Sequence, residues 1–233
     1  MKKIIVLNHK MSLLYDDLYN YIERTNNIDT DNDIIICPSS IYLEAFANNS
    51  DWLVGSQNLN YNIDTKHTGE ISTDQLKSLG IEYSIIGHYE RVRDFNETAT
   101  IINSKLLAAL DANIFPILCF GEGIEEEYQK TLPKLLDSYL KDVENIEFII
   151  FAYEPTYAVG TGALPNKERL QETTTFINNY LEEKYKRKPI LLYGGSIDSS
   201  NIKGIINMDT LDGVLVGDIS SDIKEVERIM NEI

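Results

Sequence analysis

The run Phe148-Ile149-Ile150-Phe151-Ala152-Tyr153 is followed directly by Glu154 and Pro155. The run is continuously apolar and lacks the alternation of apolar and polar residues that marks a half-exposed strand. Continuous runs of bulky residues are typical of parallel strands that are buried on both faces. The sequence therefore predicts a buried strand here, with a carboxylate at its carboxyl end.

Similar apolar runs recur along the whole chain and are separated by longer segments with helical spacing. The other runs are Ile4 to Leu7, Ile34 to Cys37, Trp52 to Gly55, Tyr83 to Ile86, Ile114 to Phe120, Pro189 to Tyr193 and Val214 to Val216. The helical segments include Leu13 to Ile22, Thr98 to Leu110, Leu132 to Val143, Arg169 to Tyr185 and Ile219 to Met230. Strands that alternate with helices predict βαβ units and a parallel sheet.

The number of strands and the position of the glycines favour a closed barrel over an open sheet. An open doubly wound sheet usually carries a glycine-rich turn after its first strand. Here the first strand ends in Leu7-Asn8-His9-Lys10, whereas Gly194-Gly195 and Gly217 follow the last two strands. We therefore predict an α/β fold, a single (β/α)₈ barrel in one domain over residues 1–233, because no Pro-, Gly- or Ser-rich linker interrupts the chain.

The composition restricts the partners and the location of the protein. The formal net charge of −16 disfavours nucleic acid and anionic membranes, and a phosphate site must then depend on local geometry. No apolar stretch approaches the ~20 residues of a membrane helix, and the start Met1-Lys2-Lys3 does not have the pattern of a signal peptide. We expect a cytoplasmic protein in which Cys37 and Cys119 are buried thiols rather than a disulfide.

Polar residues follow several of the predicted strands. They are Asn8, Lys10, His88, Glu90, Glu154, Ser196 and Asp218. In barrels of this type the active site lies where the strands end. Abstraction of a proton next to a carbonyl needs a base, groups that stabilise the developing oxyanion, and exclusion of water. Glu154 is the candidate base, Lys10 and His88 are the candidate oxyanion stabilisers, and Tyr157 to Gly162 form a candidate lid.

These segments together resemble the triosephosphate isomerase family. The similar segments are Asn8-x-Lys10, Gly87-His88-x-Glu90-Arg91, Ala152-Tyr153-Glu154-Pro155, Gly160-Thr161-Gly162 and Tyr193-Gly194-Gly195-Ser196. Their order along the chain also matches the family, from the first strand to the eighth. The resemblance implies interconversion of dihydroxyacetone phosphate and glyceraldehyde 3-phosphate, in glycolysis and gluconeogenesis, by a homodimer.

The resemblance also implies a role for each residue. Glu154 moves the proton between two carbons, His88 is a neutral electrophile, Lys10 polarises the oxygens and helps to hold the phosphate, Glu90 supports them and Asn8 orients the site. The remaining implied residues are backbone phosphate donors at Gly160, Ser196, Gly217 and Asp218, lid residues Pro155, Tyr157, Gly160, Thr161 and Gly162, and dimer-loop residues Thr68, Gly69 and Glu70. No metal or organic cofactor is implied.

The chain departs from the family pattern at several positions, among them the lid hinge, where Ala163-Leu164-Pro165 follows Gly162 in place of Lys-Thr-Ala. Tyr89 replaces a serine beside the histidine, Tyr157 replaces a tryptophan of the lid, and Asp218 replaces a glycine of the phosphate turn. An inward-pointing Asp218 carboxylate would repel a phosphate dianion. Two alternatives therefore stay open: an isomerase of another small sugar phosphate, such as a tetrulose phosphate, and a catalytically impaired binding protein of the same fold.

Overall fold

Eight parallel strands close into a barrel in the order of the sequence. The computed structural model describes residues 2–62, 64, 66–123, 126–158 and 166–233. The strands are β1 (Ile4–Asn8), β2 (Asp33–Cys37), β3 (Leu53–Ser56), β4 (Tyr83–Ile86), β5 (Phe115–Phe120), β6 (Ile150–Tyr153), β7 (Ile190–Tyr193) and β8 (Gly213–Val216). β1 pairs with both β2 and β8, which closes the barrel. The predicted (β/α)₈ fold is confirmed.

Helices connect the strands and pack around the outside of the barrel. In the described ranges they are α1 (Tyr15–Asn26), α2 (Leu43–Asn49), α3 (Thr73–Ser78), α4 (Tyr89–Phe95), α5 (Ala99–Asp111), α6 (Tyr128–Tyr139), α7 (Lys167–Tyr185), α8 (Ile202–Ile206) and α9 (Ile223–Glu232). A 3₁₀ turn, Asp218–Ser221, separates β8 from α9. None of the helices in these ranges has the length and apolar content required to cross a membrane.

The strands are continuously apolar because both of their faces are buried. Val6 and Ile117 point into the barrel and pack with Leu215 in an inner cluster. Their neighbours Ile5 and Leu118 point outward and belong to a larger cluster between the strands and the helices. Successive strand residues face opposite sides, so the two clusters need apolar residues at every position.

Three helices differ from the prediction by four residues at one end or both. Helix α1 was predicted over Leu13 to Ile22 but runs Tyr15–Asn26. α6 was predicted over Leu132 to Val143 but runs Tyr128–Tyr139, because the buried ring of Tyr128 adds a turn at the start. Helix α9 was predicted from Ile219, but the chain first forms the 3₁₀ turn. The helix then begins at Ile223, where the Asp222 side chain accepts a hydrogen bond from the backbone N–H of Lys224. The prediction for the two cysteines is confirmed, since both are buried free thiols.

Candidate active site

The carboxyl ends of the strands bring the predicted site residues to one end of the barrel, around a cleft that Lys10, His88 and Asp218 line directly. Asn8 ends β1, His88 follows β4, Glu154 follows β6, and Asp218 follows β8. The cleft has a volume of about 190 Å³, below the ~300–1,000 Å³ of sites for drug-sized ligands. Its lining consists of Lys10, His88, Gly194, Gly195, Ser196, Ile197, Asp198, Leu215, Gly217, Asp218 and Ile219. A site of this size suits a small substrate.

The backbone at Lys10 is held in an unusual conformation. Its φ is +50°, in the left-handed region that residues other than glycine seldom adopt. The Asn8 side chain accepts a hydrogen bond from the Lys10 N–H at 3.2 Å. The Gln57 amide donates to the Lys10 carbonyl at 2.6 Å and to the Cys37 carbonyl at 3.0 Å. These bonds fix the direction in which the Lys10 side chain leaves the strand, and strain of this type is common at functional sites.

The ammonium group of Lys10 lies between two carboxylates from opposite sides of the barrel. Its Nζ is 2.7 Å from Glu90 Oε1 and 2.5 Å from Asp218 Oδ1. Burial alone would lower the pKa of Lys10, but the hydrogen bonds to Asp218 and Glu90 outweigh it and raise the pKa above its ordinary value. Lys10 therefore keeps its positive charge in the cleft.

His88 is the N-cap residue of α4, and this position determines its tautomer. Its Nδ1 accepts a hydrogen bond from the backbone N–H of Glu90 at 3.3 Å. A ring nitrogen that accepts carries no proton, so in this arrangement the imidazole is neutral and its proton is on Nε2. The Nε2 atom faces Glu154, 3.6 Å from its Oε1. The ring thus presents one neutral N–H donor to the cleft.

Glu154 is a carboxylate almost completely removed from solvent, with 1% of its surface exposed. Its Oε2 accepts a long hydrogen bond, 3.5 Å, from the backbone N–H of Tyr89, and no described group completes a hydrogen bond to its Oε1. A side chain at Gly194 would come within 2.7 Å of Glu154 Cγ, so the glycine provides the space for this carboxylate. Burial raises the pKa of Glu154, although the nearby His88 opposes this effect.

Comparisons with known proteins agree with this geometry. The profile of the triosephosphate isomerase family matches residues 3–233. The chain belongs to the triosephosphate isomerase family. A triosephosphate isomerase of Clostridium beijerinckii is 33% identical over 245 aligned positions, which cover 99% of each chain. One of Alkaliphilus oremlandii is 34% identical over 245 positions, again 99% of each chain. One of Francisella tularensis subsp. mediasiatica is 31% identical over 246 positions, covering 100% of this chain and 97% of the relative.

Family membership confirms the predicted resemblance and the predicted class of enzyme, an isomerase. It leaves the departures from the triosephosphate isomerase pattern to be explained by the structure. The Tyr89 ring lies against Arg93, with 5.1 Å between the ring centroid and the guanidinium carbon, while its backbone N–H faces Glu154. A larger side chain at this position is therefore accommodated on α4.

The Asp218 carboxylate points into the cleft, toward Lys10. Of the two orientations that the sequence left open, the structure adopts the inward one. The neighbouring Gly217 also faces Lys10, since a side chain there would contact Lys10 Cε at 3.5 Å. The end of the cleft where phosphate is predicted to bind consequently contains a carboxylate as well as a lysine.

The described part of the lid connects to the turn after β7. Ser196 donates through its hydroxyl to the Ala158 carbonyl at 2.6 Å and through its N–H to the same oxygen at 3.2 Å. A phosphate bound by the Ser196 N–H must therefore replace this bond. Pro155 and Tyr157, at the start of the lid, are described, whereas the predicted residues Gly160, Thr161 and Gly162 lie outside the described residues.

Tyr157 lies near a buried carboxylate at the start of the lid. Burial raises the pKa of the Tyr157 hydroxyl, and the negative charge of Glu122 adds to this effect. Glu122 itself is 1% exposed, and its Oε1 accepts a hydrogen bond from the Tyr153 hydroxyl at 2.9 Å. Tyr157 stands where the family has tryptophan, and its hydroxyl therefore lies near the Glu122 carboxylate.

Tyr21 connects His9, beside Lys10, to Ser220 in the 3₁₀ turn after β8, a role that sequence reasoning missed. The Tyr21 hydroxyl donates to the Ser220 carbonyl at 2.6 Å and lies 3.0 Å from His9 Nε2. The Ser220 carbonyl can only accept, so the Tyr21 hydroxyl donates its single proton to that carbonyl. His9 Nε2 must then carry the proton of the imidazole and donate it to the Tyr21 oxygen. Burial lowers the pKa of His9 to about 3, so the ring is neutral. In the sequence Tyr21 lies within the predicted helical segment Leu13 to Ile22, and nothing in that segment indicates a contact with the turn after β8.

We expect Tyr21→Phe to raise KM for substrate severalfold while kcat changes less than twofold. The change leaves His9 Nε2 and the Ser220 carbonyl without their partner, which costs about 1–3 kcal/mol of stability and loosens the phosphate turn. Steady-state kinetics and thermal unfolding measure the two effects. The exposed Tyr15 on the same helix provides the control Tyr15→Phe, and equal KM values for the two variants would contradict the role of Tyr21.

Proposed function

We propose that this chain interconverts dihydroxyacetone phosphate and glyceraldehyde 3-phosphate by proton transfer at Glu154. The observation that carries the proposal is a buried carboxylate 3.6 Å from the Nε2 of a neutral imidazole, which lines one small cleft together with a charged lysine. These are the base and the oxyanion stabilisers that an aldose–ketose isomerisation needs.

In the proposed mechanism Glu154 takes a proton from the hydroxymethyl carbon of dihydroxyacetone phosphate. The electrons of the broken C–H bond form an enediolate, whose negative oxygen is stabilised by His88 Nε2–H and Lys10. His88 then passes its Nε2 proton to the former carbonyl oxygen and recovers a proton from the neighbouring hydroxyl. Glu154 returns its proton to the adjacent carbon, which yields the aldehyde, so no proton or electron is gained or lost overall.

Burial explains why Glu154 suits this role. A carboxylate without solvent and with an unsatisfied oxygen is a stronger base than an exposed one, because the ionised form is poorly stabilised. Glu90 and Asn8 are positioning residues in this proposal. Glu90 contacts Lys10 through its side chain and His88 through its N–H, and Asn8 holds the Lys10 backbone.

A coupled assay of the purified chain for interconversion of the two triose phosphates tests the proposal. Turnover that disappears in Glu154→Gln supports it. Trace turnover would favour the second candidate, an isomerase of another small sugar phosphate, for which the inward Asp218 is the supporting observation. A screen of four- and five-carbon ketose phosphates would then identify the substrate. Absence of turnover in the whole screen would favour the catalytically impaired binding protein.

We expect Glu154 to titrate above the ordinary glutamate pKa of 4.5, because burial raises its pKa. The base acts in its ionised form, so a raised pKa moves the acid limit of activity to higher pH. The substrate phosphate titrates near ~6 and would obscure this limit in kcat/KM. The infrared difference between the wild type and Glu154→Gln, followed with pH in the free enzyme, isolates the carboxylate. A midpoint at or below 4.5 would contradict the expectation.

We also propose a homodimer. Met11 and Phe95 are 90% and 65% exposed and line a cleft that also contains the predicted dimer-loop residues Gly69 and Glu70 and reaches Lys10. Exposed apolar side chains that cluster around a groove are typical of interaction sites. Thr68 precedes Gly69 in the same turn. Sedimentation of the purified chain gives the assembly state. We further propose that the protein acts in glycolysis and gluconeogenesis and that it is located in the cytoplasm.

A further inference from the structure

The ligand-free cleft holds more negative than positive charge at the end where an anion would bind. Lys10 contributes one positive charge, and Glu90 and Asp218, both in contact with its Nζ, contribute two negative charges. A third carboxylate, Asp198, lines the same cleft but does not share in the ion pairs of Lys10 with Glu90 and Asp218. An incoming phosphate dianion therefore meets a protonated lysine whose positive charge is already balanced by two carboxylates.

The two carboxylates that contact Lys10 differ in their freedom to move. Glu90 is half-buried, belongs to the first turn of α4, and its backbone is tied to His88. The Asp218 side chain is 60% exposed and belongs to a short 3₁₀ turn. Asp218 can leave Lys10 by a rotation of its side chain into solvent. Glu90 has less freedom to do so, because its side chain is less exposed and its backbone is tied to His88.

We infer that Asp218 competes with the phosphate group of the substrate for Lys10 and thereby sets the affinity of the site for anions. The carboxylate occupies Lys10 when the cleft is empty and must leave when phosphate binds. The inference rests on the proposed function, because it assumes that the substrate carries a phosphate. It makes Asp218 a specificity-determining residue, which lowers affinity for phosphorylated ligands relative to uncharged ones.

The contacts of Lys10 with Asp218 and Glu90 also orient the lysine side chain. Asp218 and Glu90 approach Lys10 Nζ from the ends of β8 and β4, so the ammonium group is held over the cleft before substrate arrives. A side chain that is already oriented loses less conformational entropy when the ligand binds. Competition and orientation therefore oppose each other, and their balance is what the experiment measures.

The test uses Asp218→Asn and inorganic phosphate as the probe, with affinity measured by calorimetry on the whole chain. Asparagine keeps the shape of the side chain but removes its charge. We expect the Kd for phosphate to fall about tenfold, because Lys10 becomes available and one repulsive charge is lost; solvent exposure of Asp218 limits the effect. In the coupled assay KM should fall similarly, with kcat within about twofold.

Asp198→Asn is the matched control, because it removes the same charge from the same cleft. Asp198 Oδ1 accepts hydrogen bonds from Ser200 and Asn201 in its own turn, and an amide oxygen can still accept them. We expect this variant to lower the phosphate Kd clearly less than Asp218→Asn does, because Asp218, unlike Asp198, contacts Lys10. Equal tightening in both variants would show a general charge effect and overturn the inference.

The remaining outcomes also decide the question. An unchanged Kd in Asp218→Asn would show that the carboxylate leaves Lys10 without cost, and a weaker Kd would show that Asp218 is itself a ligand; either result overturns the inference. Calorimetry with inorganic phosphate needs no turnover. If the chain does not turn over triose phosphates but Asp218→Asn still binds phosphate more tightly, the proposed function is rejected and the inference about Asp218 stands.

Discussion

Glu154→Asp is expected to lower kcat by roughly 10²–10³-fold while KM stays within about threefold of the wild type. The shorter side chain withdraws the carboxylate by about one C–C bond, ~1.5 Å. Displacement of a catalytic group by ~1 Å costs about 10²-fold in rate. The loss falls on kcat because, in the proposed mechanism, Glu154 acts on the reacting carbon and not on the phosphate. Steady-state kinetics in the coupled assay separate the two parameters.

Glu154→Gln extends this series and provides its control. The amide keeps the volume of the side chain beside Gly194 but cannot accept a proton, so we expect a larger loss, roughly 10³–10⁴-fold in kcat. Both variants should bind inorganic phosphate as tightly as the wild type, which shows that the cleft is intact. A parallel loss of kcat and of phosphate affinity would mean that Glu154 maintains the structure of the site and is not the base.

The strands were predictable because burial on both faces leaves a strong local signal. Ile4 to Leu7 was predicted and Ile4–Asn8 is observed; Pro189 to Tyr193 was predicted and Ile190–Tyr193 is observed. Most strand positions are apolar, with a few polar exceptions such as Ser56 and Ser84, and this pattern does not depend on knowing the neighbouring strands. The same signal located the strand ends and thereby the residues that meet in the cleft.

The short helices were not predictable from periodicity. Helices α4 and α8, Tyr89–Phe95 and Ile202–Ile206, have too few turns to establish a 3.6-residue pattern. For α8 the omission has little effect on the site. For α4 it conceals the tautomer of His88, which depends on the hydrogen bond from the Glu90 N–H in the first turn.

Contacts between residues that are far apart in the chain were also not predictable from the sequence. Lys10 and Asp218 are separated by 208 positions in the sequence and meet only because β1 pairs with β8. The sequence identified both residues and the conflict between a carboxylate and a phosphate. It left the direction of the Asp218 side chain open, because a single exposed side chain at a turn has no local pattern that fixes its rotamer.

Lys10→Met is expected to lower kcat/KM by at least roughly 10³-fold, through a lower kcat as well as a higher KM. Removal of one oxyanion donor costs about 10²–10³-fold in rate. Here the change also leaves Glu90 and Asp218 without their shared partner, so two unopposed carboxylates repel the phosphate group of the substrate. Methionine preserves most of the length and apolar surface of the lysine stem. Steady-state kinetics and calorimetry with inorganic phosphate measure the effects on turnover and binding.

Lys134→Met is the control for the change in net charge, since Lys134 is exposed on α6 and far from the cleft residues in the sequence. A loss of similar size in both variants would mean that the charge of the whole protein, and not Lys10, holds the substrate. The double variant Lys10→Met with Asp218→Asn adds a sharper test. If Asp218 acts through Lys10 and through direct repulsion, removing its charge should recover part of the lost phosphate affinity, and the effects of the two substitutions should not be additive. Additive effects would mean that the contact between Lys10 and Asp218 has no bearing on anion binding.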